Sequence, residues 1–240
     1  MTRLNSMNER VAKELLFKGY FIAGRLHSPR IGDFPFYPDN RILFSNTKKL
    51  KIVAEELARV ISPLNVDLIA SREAAGVPFG VATALELQSG FLYLRKEPKN
   101  YNVRKVIEGS YQPGQTVVIV DDAISTGGDK RKAVDDLEAV GLKVLGVVVA
   151  FDAHYGPKYA ETQQWLRAGN QYVFQALMTW PEIMDYAANN NFLSRELCDM
   201  VKEMINDPEV WQKSDKNWQQ FKQIAAKEQN LIFDQSFRDI

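Results

Sequence analysis

Residues Val117 to Gly128, Val-Val-Ile-Val-Asp-Asp-Ala-Ile-Ser-Thr-Gly-Gly, constrain the fold more than any other stretch of the chain. Four β-branched apolar residues run into two adjacent carboxylates, then a hydroxyl pair and two glycines. Lys130–Val140 follows with the apolar period of a helix. A continuous apolar run of this kind suits a strand buried on both faces, as in a parallel sheet. Such a strand delivers its next residues to the carboxyl edge, where open α/β sheets bind ligands. The backbone amides of Ser125-Thr126-Gly127-Gly128 and the positive end of the helix dipole then form an anion cradle, which glycine lets a phosphate approach closely. Asp121 and Asp122 would repel an anion inside that cradle, so they must meet something else. A carboxylate pair accepts hydrogen bonds well from vicinal hydroxyls. The combination suits a phosphate and a cis-diol on one ligand, a ribose 5-phosphate. It is neither a Walker loop nor Gly-x-Gly-x-x-Gly.

The rest of the chain supports an α/β architecture. Residues 6–18 predict a helix opened by a Ser6/Glu9 capping box and stopped by Gly19. Residues 24–46 are rich in Pro, Gly and aromatics, too broken for a helix and too apolar for a loose linker, and are expected to pack as a cap. From Thr47 helices (47–61, 78–88, 130–140, 157–167) alternate with strands (66–70, 91–94, 117–120, 144–151, 172–175). That order predicts a parallel sheet flanked by helices. Pro181 to Asn189 reads as a short helix with proline in its first turn. The expected divisions are an N-terminal helix and hood (1–46), a core (47–190) and a helical C-terminal extension (191–240). Trp211, Trp218 and Phe221 are expected to dock that extension.

Val117–Gly128 closely resembles the phosphoribosyl-pyrophosphate motif of the type I phosphoribosyltransferases. A second segment, Arg95-Lys-Glu-Pro-Lys-Asn-Tyr, is similar to the catalytic loop of the orotate branch of that family. A third, Ala70-Ser-Arg-Glu-Ala-Ala-Gly-Val-Pro78, falls where the family has its pyrophosphate turn, with Ala75 where some members have lysine. A fourth, Phe34-Pro-Phe-Tyr-Pro-Asp-Asn-Arg41, looks like the hood that covers the base. The resemblance covers roughly residues 10–190. It implies that Arg95, Lys96, Lys99, Tyr101, Asp121, Asp122, Ala123, Ile124, Ser125, Thr126, Gly127, Gly128 and Asp129 hold phosphoribosyl pyrophosphate. Lys99 and Asp122 would act in catalysis, and Phe36, Tyr37, Ser125 and Ala153 would meet the base. The chain departs from the pattern at Ala153, where orotate enzymes typically carry arginine beside an aspartate.

The resemblance further implies transfer of the phosphoribosyl group to orotate, with magnesium carried on the substrate rather than by protein ligands. It also implies a homodimer whose loops reach across to shared sites. Ala153 keeps a second acceptor class open, a 6-oxopurine, and a non-catalytic sensor of phosphoribosyl pyrophosphate is a third reading. Lys+Arg and Asp+Glu both number 30, so no charge surplus points to nucleic acid or an anionic membrane. No apolar run is long enough to span a bilayer, and the N-terminal residues carry no apolar signal region. The single cysteine, Cys198, lies on an amphipathic pattern and reads as a buried thiol. The expected setting is a reducing cytoplasm.

Overall fold

The computed structural model describes residues 9–28, 31–97, 106–156, 164–167 and 171–240. Packing divides the chain into two units. One takes in the described residues of 1–42, 154–159 and 178–240; the other takes in those of 43–153 and 160–177. The two ends of the chain thus share a unit.

The first unit opens with helix α1 (Glu9–Leu15), whose Val11, Ala12 and Leu15 are buried. The Pro-rich segment expected to be a cap is a β-hairpin. Strand β1 (Phe21–Ser28) pairs antiparallel with β2 (Gly32–Pro38), with a register shift between Ala23 and Leu26. The hairpin is followed by a 3-10 turn at Asn40–Ser45. Two prolines in β2 obscure it in the sequence. They are tolerated because β2 is an edge strand, where a missing N–H removes no inner ladder bond.

The second unit is built on α2 (Thr47–Ile61), β3 (Leu68–Arg72), α3 (Gly76–Leu87), β4 (Gly90–Leu94), β5 (Ile107–Glu108), β6 (Thr116–Ile124), α4 (Gly128–Glu138), β7 (Lys143–Asp152) and the short α5 (Gln164–Arg167). With β8 (Val173–Thr179) the described strands form a sheet of order β5-β4-β3-β6-β7-β8. Strands β4, β3, β6 and β7 run parallel, and β5 is antiparallel to β4. Alternation along each strand sends Leu68, Ala70, Val117, Ile119, Val147 and Val149 into a core with Ala133, Val134 and Leu137 of α4. Helices α2 and α3 pack on the sheet as well, burying Val53, Leu57, Ile61 and Phe79. Asn46 caps α2 by accepting the Lys49 amide at 3.3 Å. The strand expected at 117–120 is longer. It carries both aspartates inside β6, because β7 pairs along it as far as Ile124↔Asp152.

The tail returns to the first unit through α6 (Trp180–Asn189), α7 (Arg195–Asn206), α8 (Pro208–Trp211) and α9 (Asp215–Ala225). Thr179 and Glu182 form a capping box at the start of α6, with proline in its first turn. Helix α7 buries Leu197, Cys198, Val201, Met204 and Ile205 on one face. Trp211, Trp218 and Phe221 are buried against one another, with ring centroids 5.2 and 6.4 Å apart about Trp211. A two-residue strand, β9 (Ile232–Phe233), then adds to β1 in parallel, an element absent from the helical expectation. No helix among the described residues is long and apolar enough to cross a membrane.

Candidate active site

Strand β6 carries Asp121 and Asp122 at the sheet's carboxyl edge, and α4 begins four residues after the strand ends. The Asp121 side chain is almost fully buried and forms an ion pair with Lys130 in the first turn of α4. Its Oδ1 also accepts the Asp122 amide at 2.8 Å. Gly76, the first residue of α3, lies so close that any Cβ there would collide with the Asp121 carboxylate. Asp121 is therefore wedged between two helix starts with its charge answered by Lys130. Burial and the negative charge of Asp121 push the Asp122 carboxyl up to about 7, against an opposing pull from Lys130.

Between strand and helix lies the cradle. Ile124 is buried, while Ala123, Ser125 and Thr126 are half-buried. Gly127 adopts φ 76° at the N-cap of α4, a left-handed conformation that glycine reaches without penalty. At Gly128 an added Cβ would meet nothing within 4 Å, so the backbone there faces open space. Asp129 is exposed in the first helical turn. The first turn of α4 thus starts from a glycine without a side-chain cap, the arrangement that leaves helix amides for an anion.

The neighbouring turn between β3 and α3 is tied to the root of the basic segment. The Lys96 amide donates to Glu73 Oε1 at 2.7 Å, and its carbonyl accepts from Arg72 Nη2 at 3.4 Å. Arg72 is itself buried, 3.8 Å from Asp136 of α4, and its Nε has no hydrogen-bond partner among the described residues. Arg95 donates to Glu108 at 2.9 Å and to the Tyr93 hydroxyl at 2.8 Å, and its amide bonds the Val106 carbonyl at 2.8 Å. Lys99 and Tyr101 lie outside the described residues.

Of the expected base-contacting residues, Phe36 has no exposed surface. It stacks on Phe21 at 4.9 Å and lies 6.3 Å from Trp180, inside the aromatic core of its unit. Tyr37 is half-buried, with the Arg41 guanidinium 5.7 Å above its ring. Ala153 is half-buried, and its amide donates to the Ile124 carbonyl at 2.7 Å, tying the end of β7 to that of β6. The sequence did not mark Lys130, and it placed Arg72 and Glu73 in the Ala70–Pro78 turn without marking their ties to Lys96 and Asp136. A lysine just inside a helix ordinarily points to solvent, and nothing local marks this one as the partner of Asp121.

A model of the phosphoribosyl transferase domain matches residues 42–165, which span the cradle, both turns and the basic segment. The chain belongs to the type I phosphoribosyltransferase family. It is 34% identical over 182 residues to the orotate phosphoribosyltransferase of Listeria monocytogenes serotype 4b, covering 75% of this chain and 84% of that one. It is 32% identical over 181 residues to the enzyme of the same name from Phocaeicola vulgatus, covering 74% and 82%. Among solved structures it is similar to Leishmania donovani UMP synthase, with a TM-score of 0.70 and 27% identity over 81% of this chain and 41% of that one. The fold is also that of orotate phosphoribosyltransferase from Aeropyrum pernix, with a TM-score of 0.62 and 22% identity over 74% and 98%. This phosphoribosyltransferase is therefore a pentosyltransferase, an enzyme that moves a phosphoribosyl group from its pyrophosphate to a base.

Proposed function

We propose that the accepting base is orotate, giving orotidine 5′-phosphate and pyrophosphate. The observation that carries the reading is the placement of Asp121 and Asp122 beside the open start of α4 at Gly127, in a chain one-third identical to curated orotate enzymes. Ser125, Thr126, Gly127 and Gly128 hold the 5′-phosphate on backbone amides and hydroxyls, with Ala123, Ile124 and Asp129 framing the cradle. Asp122 accepts from the ribose diol; Asp121, neutralised by Lys130, shapes the floor. Arg95, Lys96, Lys99 and Tyr101 draw off the departing pyrophosphate. In such a transfer the protein's task is to hold both partners in line and to neutralise the leaving group. Phe36, Tyr37, Ser125 and Ala153 are assigned to base recognition, Phe36 by backing the hairpin rather than through exposed surface.

Among the described residues no cluster of three or more His, Cys, Asp or Glu could hold a metal alone. The magnesium ion of this reading would be carried on pyrophosphate and diol oxygens, with Asp122 near the diol. When bound, the ion would screen the charge on the leaving group.

The same reading includes a homodimer. Val81 and Leu85, one turn apart on α3, are 38% and 73% exposed, and a second copy would cover them. It also places the enzyme in the cytoplasm, where burial holds the Cys198 thiol at about 12 and keeps it unreactive. Pyrophosphate release on mixing the enzyme with orotate, phosphoribosyl pyrophosphate and magnesium tests the assignment of substrate. Ala153 favours one other reading, a 6-oxopurine acceptor, because alanine offers no guanidinium to the orotate carboxylate. Release with hypoxanthine or xanthine but not orotate would establish that reading instead.

A further inference from the structure

The C-terminal segment grips the N-terminal hairpin, within one packing unit, by a closed circuit of contacts. Gln212 Oε1 accepts the Asp33 amide at 2.9 Å, and Gln212 Nε2 donates to the Ile31 carbonyl at 3.0 Å. The Asp33 carboxylate accepts from Arg25 at 3.0 Å and pairs with His27 at 2.9 Å, and those two partners hold its carboxyl below the usual range. The Arg25 guanidinium lies 5.2 Å from the centre of the Trp218 ring. The Trp218 indole N–H donates back to the Gln212 carbonyl at 2.8 Å, which closes the circuit. The approach is tight: at Gly32, where φ is +79°, a Cβ would collide with the Gln212 carboxamide.

A second contact lies in register with the two hood aromatics. Ile22 pairs with Tyr37 on one side and Ile232 on the other; Ala23 pairs with Phe36 and with Phe233. The added strand is anchored at each end by Gly19 N to Asn230 O at 3.2 Å and Asp234 N to Ala23 O at 2.8 Å. Ile232 and Phe233 remain 49% and 40% exposed, so this strand is not docked chiefly to remove apolar surface from water. What it adds is a fixed position for β1, the strand that pairs on its other side with Phe36 and Tyr37.

We propose that Gln212 is a positioning residue for the accepting base, and that the C-terminal segment sets base affinity by fixing the hairpin that carries Tyr37. This rests on the reading that the hairpin meets the base. Gln212 touches no substrate. Its two hydrogen bonds hold the hairpin tip, and the pairing of β9 with β1 holds the position of the aromatic pair. The Gln212 side-chain hydrogen bonds go to the hairpin tip, so the effect is expected on the base and not on phosphoribosyl pyrophosphate.

The test is steady-state kinetics of Gln212→Ala, Gln212→Glu and Tyr37→Ala with orotate and phosphoribosyl pyrophosphate, together with hydrogen exchange at the Asp33 amide. In Gln212→Ala the KM for orotate is expected to rise roughly ten-fold, the effect of losing two neutral hydrogen bonds. The KM for phosphoribosyl pyrophosphate and kcat are expected to stay within about two-fold, and Asp33 to exchange faster. Gln212→Glu keeps the acceptor for the Asp33 amide but sets a carboxylate oxygen against the Ile31 carbonyl, so its orotate KM should rise at least as far as that of alanine. If the alanine protein fails to fold, the glutamate variant and Trp218→Phe carry the same comparison. An unchanged orotate KM, or equal rises for both substrates, overturns the proposal. Tyr37→Ala separates the causes. If it raises the orotate KM while Gln212→Ala does not, only the bracing role fails. If neither variant does, the hood reading falls and the bracing role with it.

Discussion

Asp121 and Lys130 form a buried ion pair, their side chains 7% and 11% exposed, between the end of β6 and the first turn of α4. The pair joins the two elements that flank the cradle. Lys130 neutralises Asp121, which is how the proposed site could hold a dense anion beside two adjacent acids, with Asp122 left for the ribose hydroxyls.

Breaking such a pair from one side leaves an uncompensated buried charge, at a cost of about 3–5 kcal/mol. Lys130→Met is expected to lower the unfolding free energy by that order in a denaturant titration. Adding Asp121→Asn should recover most of the stability without restoring affinity for phosphoribosyl pyrophosphate. An unaltered denaturation midpoint in Lys130→Met would refute a structural role for the pair.

The Asp122 carboxyl, raised to about 7, gives a pH dependence of known sign. Between 3.8 and about 7 the folded protein holds a proton that the unfolded chain has lost. This contribution to stability is fully present below 3.8 and is lost as pH rises to about 7. If Asp122 accepts from the ribose diol, binding has the opposite trend, because the carboxylate is the better acceptor. Affinity for phosphoribosyl pyrophosphate is expected to strengthen from pH 5.5 upward and to flatten above about 7, and Asp122→Asn to reduce the slope to the part set by the ligand's own phosphate ionisation, at about pH 6. Calorimetric titration across that range checks both, and an equal slope in the variant would contradict the assignment.

The two cradle glycines separate backbone strain from ligand contact. At Gly127 an alanine would be forced into the left-handed region, at about 1–2 kcal/mol. Gly128→Ala places its methyl in open space and is expected to leave the melting temperature unchanged while weakening binding of ribose 5-phosphate. Binding as tight as wild type in Gly128→Ala would move the phosphate elsewhere.

Lys99→Ala is expected to lower kcat far more than it weakens substrate binding, since a departing pyrophosphate is stabilised in the transition state. If loop and cradle come from different chains, re-formed heterodimers of Lys99→Ala and Asp122→Ala recover part of the activity. Leu85→Glu should shift the enzyme toward monomer in sedimentation and lower activity with it. A Leu85→Glu protein that sediments like wild type would place the interface away from α3.

The strand, turn and helix from Val117 to Val140 were legible because their signal is local. An apolar strand, two acids and two glycines lie consecutively, and the chain can do little with them except turn into a helix. The partner of Asp121 was not legible, since a buried lysine and a solvated one look alike three residues into a helix. The hairpin was hidden by Pro35 and Pro38, which an edge strand accommodates. The addition of Ile232–Phe233 to β1 was less legible still, because a two-residue pairing across nearly the whole chain leaves no periodic trace. From Thr47 to Phe151 hydrophobic period and segment length agree, and the expected helices and strands are found there; of the helix expected at 157–167 residues 157–163 lie outside the described residues, and Gln164–Arg167 is helical.

The most direct test of the central claim is a competition assay. Orotate, uracil, hypoxanthine and xanthine at equal concentration would be mixed with phosphoribosyl pyrophosphate, magnesium and the enzyme, and the nucleotides formed separated and quantified. Orotidine 5′-phosphate as the dominant product is the predicted result; a purine nucleotide in its place would contradict the assignment of orotate.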